Sequence, residues 1–500
     1  MGQRIQAWVS NEFATLALGS KRLFMRFLIF MTMLSEQPDK SIWQAMGSRG
    51  QAKAAYRMLA NEKLTTEAIL SAHIDAISTR CGEIDKNEDS NVKEYSDVEE
   101  DSNVKEDSNV EETVVLAIQD TMSVNYSGHK KTKGLGYTGN NTLGVNVHTC
   151  LLLDANGVAL GVPYQKVTTR PQPKQPGTND QQQKRPIEEK ESYRWIEAMR
   201  AVAEKTPKNI KLIHVTDREG DIYELFAQAQ STGQSFVIRA THNRITSENM
   251  RMIEVVENSP LVGLVEAKIP ENNAKKQKER IANLEIRSAS FNVKRPKKVS
   301  KQSAPASVAL NIVIAQEKNP PEGTGPINTE QISTEQIINT EPIKWIIVTS
   351  LPVETIEQIV SIIEIYRKRW KIERFHFVLK SGCKIEDIQQ RTLDGISMMI
   401  LLYSIISIQI MTLTYLARTN PNAPAGLLFE DHEIMILWKA GNKTKTPPQK
   451  TVTIAEAAAL VAKLGGFKGA PSDGPPGLKA IWSGLEKLYT LCSYAEFFGV

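Results

Sequence analysis

Apolar and polar positions divide this chain into stretches of different periodicity. Residues 1 to about 80 read as helical. Lys53-Ala54-Ala55-Tyr56-Arg57 lies in a good helix-forming run, and Thr65-Thr66-Glu67 has the form of a helix start. Strand signals follow. Val114 to Ile118 is a short apolar run of the kind that makes a buried strand ending at Asp120. Leu143 to Leu153 and Val158 to Val162 flank Asp154-Ala155-Asn156-Gly157, a hairpin turn. Residues 188–204 read as a helix, and Ile210 to Val215 and Ser235 to Ile238 as further buried strands. Antiparallel strands followed by alternating strands and helices predict a mixed α/β sheet. Residues 245–345 alternate short strands with basic and proline-rich loops, leading to a strand at Trp345 to Val348. Ile356 to Lys380 reads as one long helix, and the rest as mostly helical.

Two segments break this pattern. Residues 83–112 repeat Asp-Ser-Asn-Val at Asp89, Asp101 and Asp107 with mostly glutamate between, and cannot bury a core. They read as a disordered acidic insert. Asn328-Thr329-Glu330 through Asn339-Thr340-Glu341 reads as a solvent loop expanded by duplication. The expected domains are therefore 1–80, the insert 83–112, a core in two parts (113–244 and 346–390), an insertion 245–345, and a helical region 391–500.

Composition narrows the class. With 500 residues, 41% hydrophobic and 24% charged, sizeable soluble cores are possible. The net charge of +4 decides little, but its distribution is uneven. Lys275-Lys276-Gln277-Lys278 and Lys294-Arg295-Pro296-Lys297-Lys298 are dense positive patches. Cys81, Cys150, Cys383 and Cys492 are far apart with no CxxC pair, which argues against a zinc site or disulfide scaffold and fits a reducing cytoplasm. No signal peptide is legible. The apolar run Ile396 to Leu416 is long enough for a membrane span, but recurring Ser and Thr favour a buried helix between domains, so no membrane is expected.

Three acids stand where metal-assisted phosphoryl transfer needs them: Asp120 after one strand, Asp217 after another, and Glu373 on the late helix. Carboxylates from two strands and a helix can hold a pair of Mg²⁺ ions. Arg369, Glu373 and Lys380 follow Tyr366 by three, seven and fourteen residues. On a continuous α-helix all four fall within an arc of roughly 60°. One acid flanked by a phenol and two cations suits a DNA phosphate near a metal, although a solvated helix face with an ion pair has the same pattern.

The stretch Tyr366-Arg367-Lys368-Arg369-Trp370-Lys371-Ile372-Glu373-Arg374-Phe375-His376, with Lys380, resembles the Y-(2)-R-(3)-E-(6)-K signature of bacterial insertion-sequence transposases of the DDE type. Ile118-Gln119-Asp120-Thr121 and Val215-Thr216-Asp217-Arg218-Glu219 resemble that family's first and second acid motifs, and Gly47 to Arg57 its end-binding domain. Ile436 to Lys439 and Ala462 to Phe467 are similar to its C-terminal region.

The resemblance implies a ribonuclease-H-like core with a β-rich insertion at 245–345. It implies Asp120, Asp217 and Glu373 as ligands of Mg²⁺ (or Mn²⁺), and Tyr366, Arg369 and Lys380 as phosphate contacts. Trp345 matches a residue that receives or braces a flipped base, with Arg239 beside it, and His376 is a weaker candidate DNA contact. A core tryptophan at a strand start is the plainer alternative for Trp345. Arg22, Arg26, Lys53 and Arg57 are candidates for binding the terminal inverted repeat, mostly through phosphates. The implied partners are double-stranded DNA at transposon ends, target DNA, and a second copy of the chain in a homodimer on DNA. The implied reaction is cut and paste through a hairpin, in the cytoplasm on the bacterial nucleoid. Met122 and Phe377 depart from the family pattern. A structure-selective nuclease with the same core, or an end-binding relic without activity, are the competing readings.

Overall fold

The structure, a computed structural model, describes residues 3–93, 113–139, 142–171, 185–269, 280–318, 343–470 and 474–498. The basic patch at 275–278, the repeat at 328–341 and residues 94–112 of the acidic segment lie outside the described residues. The chain forms two compact units. One contains residues 1–176, 200–211 and 370–500, and the other 177–199 and 212–369. The expected serial domains are thus regrouped: the N-terminal helices, the first core strands and the C-terminal helices share a unit.

In that first unit, α1 (Gln3–Glu12), α2 (Lys21–Glu36), α3 (Ile42–Ala45), α4 (Arg49–Leu59) and α5 (Thr66–Lys93) precede β1 (Thr113–Asn125), β2 (Gly136–Tyr137), β3 (Leu143–Leu153) and β4 (Ala159–Thr168). Ser20, Ser41 and Ser48 cap α2, α3 and α4 by accepting the N–H groups of Leu23, Gln44 and Gln51. The helix α5 continues through Lys93, so the acidic segment begins helical rather than disordered. Extending an existing helix avoids the nucleation cost. The helix α5 is seated on β4. His73 Nε2 accepts the Val162 N–H at 2.9 Å, and Arg80 Nε donates to the Leu160 carbonyl at 2.8 Å. His73 Nδ1 and Arg80 both reach the buried Glu12 of α1. Burial opposes the Glu12 charge, but His73 and Arg80 outweigh it and hold the carboxyl down to about 2.

The strand β1 is longer than the apolar run predicts. It pairs with β3 from Leu116 opposite Leu153 to Asn125 opposite Gly144. Met122 and Val124 keep the buried alternation going beyond Asp120. Asp120 therefore sits within the strand, opposite Thr149, and not at its end. The physical reason is that β3 offers partners to the main chain of residues 120–125.

The helix α6 (Tyr193–Lys205) enters the second unit with its residues up to Met199, and Trp195, Ile196 and Met199 join the core there. The strand β5 (Ile210–Thr216) runs parallel to β6 (Ser235–Arg239). Between them lies α7 (Tyr223–Thr232), and α8 (Met252–Glu257) follows. The strands β7 (Leu261–Ile269), β8 (Arg280–Lys294) and β9 (Ser307–Glu317) form an antiparallel run joined to β10 (Lys344–Thr349), which pairs with β6. The expected insertion is thus an extension of the core sheet, because β9 supplies hydrogen bonds to the edge of β10. Phe226 stacks on Phe236 at 5.1 Å within the core. The unit closes with α9 (Ile356–Lys368), capped by Thr355 and Gln358.

The first unit resumes with α10 (Trp370–Phe377), α11 (Leu393–Thr419), α12 (Asp431–Asn442), α13 (Ile454–Leu464) and α14 (Leu478–Phe498). The helix α11 is long and apolar enough to cross a membrane, yet 83% of its most apolar window is buried within the protein. It packs on β4 and also on α13 and α14, so it is a buried helix between the core strands and the C-terminal helices. Its Ser404, Ser407, Thr412 and Thr414 hydroxyls each donate to the carbonyl four residues back, which makes them compatible with burial. The helices α13 and α14 touch backbone to backbone. A Cβ on Gly484 would lie 1.8 Å from the Val461 carbonyl oxygen.

After α2, Asp39 meets Glu486 of α14, with Lys40 and Lys384 alongside. Asp39 Oδ1 and Glu486 Oε1 are buried with no N–H or O–H donor, an arrangement that one shared proton satisfies. Burial, then the Asp39 carboxylate, pushes Glu486 up to about 7. Asp39 is held down to about 2, since the hydrogen bonds from Lys40, Glu486 and Lys384 outweigh its burial. An acid raised in this way stabilises the fold below its unfolded value of 4.5 and loses that contribution as pH climbs through about 7. Asp39 acts oppositely, losing its contribution only as pH falls from 3.8 toward 2. The melting temperature of the wild type should therefore fall between pH 5 and 8, and thermal scans of Glu486→Gln should show a flatter profile across that window.

Candidate active site

Within the first unit the site is built where α10 lies on β1. Asp120 is half-buried, and its Oδ1 accepts the Thr121 N–H at 2.7 Å. His376 Nδ1 of α10 stands 3.9 Å from Asp120 Oδ2. Glu373 precedes His376 by three residues, so it lies one turn away on the same side of the helix, and it is half-buried.

The helix is held from both ends. Lys371 Nζ donates to the Gly157 carbonyl at 2.5 Å, in the turn between β3 and β4, and lies 4.0 Å from the Tyr415 ring centre. Ile372 and Phe375 are fully buried. Beyond α10, Lys380 Nζ donates to the Ser123 carbonyl at 2.6 Å and lies 3.6 Å from Glu386. Glu386 in turn accepts the Asn125 N–H at 3.2 Å, and the Tyr126 hydroxyl donates to Ile385.

The expected single helix over 356–380 is in fact three pieces. The helix α9 ends at Lys368, Arg369 keeps right-handed φ −50° and ψ −37°, α10 follows, and Val378–Gly382 is a π-helical turn. The wider π turn takes Lys380 off the α-helical face. Its ammonium donates to the main chain of β1, and the side chain stays 37% exposed. His376 is not on the surface. It is 9% exposed and neighbours Asp120.

In the second unit Asp217 follows β5 and caps the short turn Arg218–Gly220, its Oδ1 accepting the Glu219 N–H at 2.8 Å. A Cβ on Gly220 would meet Thr216 Oγ1 at 2.0 Å, so the turn requires glycine. Sequence reasoning missed Asp221. It is 3% exposed, accepts the Thr241 and His242 N–H groups at 2.6 and 2.8 Å, and pairs with the buried Arg244. The signal was there in Asp217-Arg218-Glu219-Gly220-Asp221, where a second acid follows a glycine. Arg239 Nη2 donates to the Lys344 carbonyl at 3.4 Å, beside the half-buried Trp345 on β10. Tyr366 is 7% exposed on α9, and Arg369 is half-buried.

The basic candidates of the helical region are on the surface. Arg22 and Arg26 are exposed on α2, and Lys53 and Arg57 on α4. Met25, Ile29 and Tyr56 are exposed among them.

Comparison with known families decides what these parts belong to. Residues 5–64 match the transposase DNA-binding family, 196–408 the transposase DDE domain, and 405–498 the transposase Tn5 dimerisation domain. The chain is a Tn5-like DDE transposase. The transposase has a helical DNA-binding region, a mixed-sheet DDE core and a helical dimerisation domain, in that order. A transposase DDE domain is a module for DNA cleavage and strand transfer. The match to it contains Asp217 and Glu373 and begins after Asp120. A solved structure, a piggyBac transposase synaptic complex with hairpin DNA, aligns at 10% identity with a TM-score of 0.27. The alignment covers 72% of this chain and spans 55% of that one. That likeness carries no weight for fold or chemistry.

DDE transposases use divalent metals. Asp120 and Glu373 suit one, since both are half-buried carboxylates on backbones locked by packing, and oxygen donors are what a hard cation prefers. Among the described residues, however, no three His, Cys, Asp or Glu side chains converge to hold a metal. Asp217 belongs to the other unit.

The Asp221–Arg244 pair yields a direct test. Asp221→Ala leaves a buried guanidinium without its counter-charge, and denaturant unfolding should register a loss of about 3–5 kcal/mol. A loss under about 1 kcal/mol would show that the pair does not organise the Asp217 turn.

Proposed function

We propose that this transposase binds the terminal inverted repeats of its own element, cleaves there, and joins the freed 3′ ends to target DNA. The observation that carries the reading is the packing of α10 on β1, which sets Glu373 one turn from a histidine 3.9 Å from Asp120, in a chain with the Tn5 set of domains. Asp120, Asp217 and Glu373 are the ligands of Mg²⁺, for which Mn²⁺ substitutes. The bound ions supply Lewis-acid stabilisation of charge at the scissile phosphate. The chain's own residues hold the carboxylates in place: Lys371 and Lys380 fix α10 at its two ends, and Asp221 fixes the turn that carries Asp217.

Tyr366, Arg369, Trp345 and Arg239 complete the grip on the DNA end in this reading, with Trp345 bracing an unstacked base. Cleavage passes through a hairpin at the element's end. Two copies of the chain hold the two ends through the dimerisation domain, consistent with two-fold symmetry. The free cysteines, all buried, accord with work in a reducing cytoplasm on nucleoid DNA.

The test is labelled end DNA with purified protein, with metal added or withheld, for wild type and Glu373→Ala. Wild type should nick and form hairpins only with metal. Glu373→Ala should retain binding and lose cleavage by about 10²–10³-fold or more. Binding without cleavage by wild type would mark an end-binding protein without activity, and cleavage surviving in Glu373→Ala would move the site elsewhere.

A further inference from the structure

A cavity of about 1730 Å³ in the first unit does not contain the acids. One wall is α4, with Lys53, Tyr56 and Arg57, from the region that matches the transposase DNA-binding family. The other is a pair of loops, residues 128–132 and 389–392, that bring Lys130, Lys131 and Arg391. Neither loop is a loose strap. Lys133 N donates to the Arg391 carbonyl and Leu393 N to the Lys133 carbonyl, both at 2.9 Å. Thr132 Oγ1 adds a bond to the Gln390 carbonyl at 2.7 Å. The cations thus stand on a stitched double loop facing a basic helix.

Size and charge point to one class of occupant. The volume exceeds the roughly 300–1,000 Å³ of a small-molecule pocket. Lys53, Arg57, Lys130, Lys131, Lys166 and Arg391 outnumber the acids Glu62, Glu67 and Asp394 in the lining. Lys53, Arg57, Lys130, Lys131 and Arg391 are exposed, as a polyanion's contacts must be. We propose that the stitched loops 128–132 and 389–392 are a second DNA-binding element of this chain, which grips the phosphate backbone of a duplex lying against α4 and does so without reading sequence. The inference rests on the transposase reading above and adds a surface which that reading does not need. Lysine on a loop is a point charge for phosphate, and no paired base-reading geometry is required of it.

The experiment titrates full-length wild type and Lys130→Gln/Lys131→Gln with end DNA and with an unrelated duplex over a range of salt. Each lost phosphate contact lowers the slope of log affinity against log salt by about 0.9. The double variant should lose roughly two units of slope on both duplexes, and about 10-fold or more in affinity at low salt. Arg391→Gln, on the partner loop, should lose about one unit. Melting temperatures matching wild type would confirm that the variants are folded. Unchanged slopes in folded variants would overturn the proposal while leaving the transposase reading intact, provided wild type still cleaves end DNA. A loss confined to end DNA would overturn it too, by making the loops sequence readers. If Lys130→Gln/Lys131→Gln fails to fold, the slope of Arg391→Gln decides. If wild type neither binds nor cuts end DNA, both readings fall together.

Discussion

The antiparallel pairing of β1 with β3 is the constraint on which the first unit depends. It runs from Leu116 to Asn125 without a register shift, and a slip of one residue would turn every buried side chain of β1 outward. Asp120 takes its position from that register. So do the carbonyl of Ser123 and the N–H of Asn125, which Lys380 and Glu386 use to fasten the segment following α10. The other face of the arrangement is anchored through β4, where His73 and Arg80 tie α5 to the strand and Glu12 ties α1 to both. The N-terminal helices, the strand of Asp120 and the helix of Glu373 are therefore coupled through one hydrogen-bonded ladder.

Charges in this protein fall into two populations. Glu12, Asp221 and Glu317 are buried, and each is matched by arginine. Removing water from such a group is costly, and the pairing offsets that cost only when geometry is good. Asp120, Asp217 and Glu373 are half-buried instead. The Asp39–Glu486 contact stands apart from both. Two acids share one environment there, next to two lysines, and it makes the junction of the N-terminal helices with α14 responsive to pH.

Much of the architecture was legible in the chain. The hairpin at Asp154 to Gly157, the strand before Asp217 and the helix around Glu373 follow from local pattern, because apolar periodicity and turn residues act over a few positions. The three candidate acids were nominated from their motifs, since each is a short run of residues. Less accessible were the length of β1 and the break of the late helix. The polar residues Asp120 and Thr121 hide the continuing alternation of Met122 and Val124. Nothing in Phe377 to Gly382 announces a π turn, which arises where Lys380 reaches Ser123 and Gly382 meets Trp482.

By itself the sequence determined the order of helical and strand regions and nominated the acids of the candidate site. Those properties belong to side-chain type and spacing. Only the tertiary structure decided that the 245–345 stretch joins the core sheet, that His376 is buried beside Asp120, that Lys380 ties to β1, that Asp221 stands behind Asp217, and that α4 faces a stitched basic loop. Each of these depends on partners far away in the chain, and long-range contacts are chosen by packing and hydrogen-bond satisfaction, which no local pattern encodes.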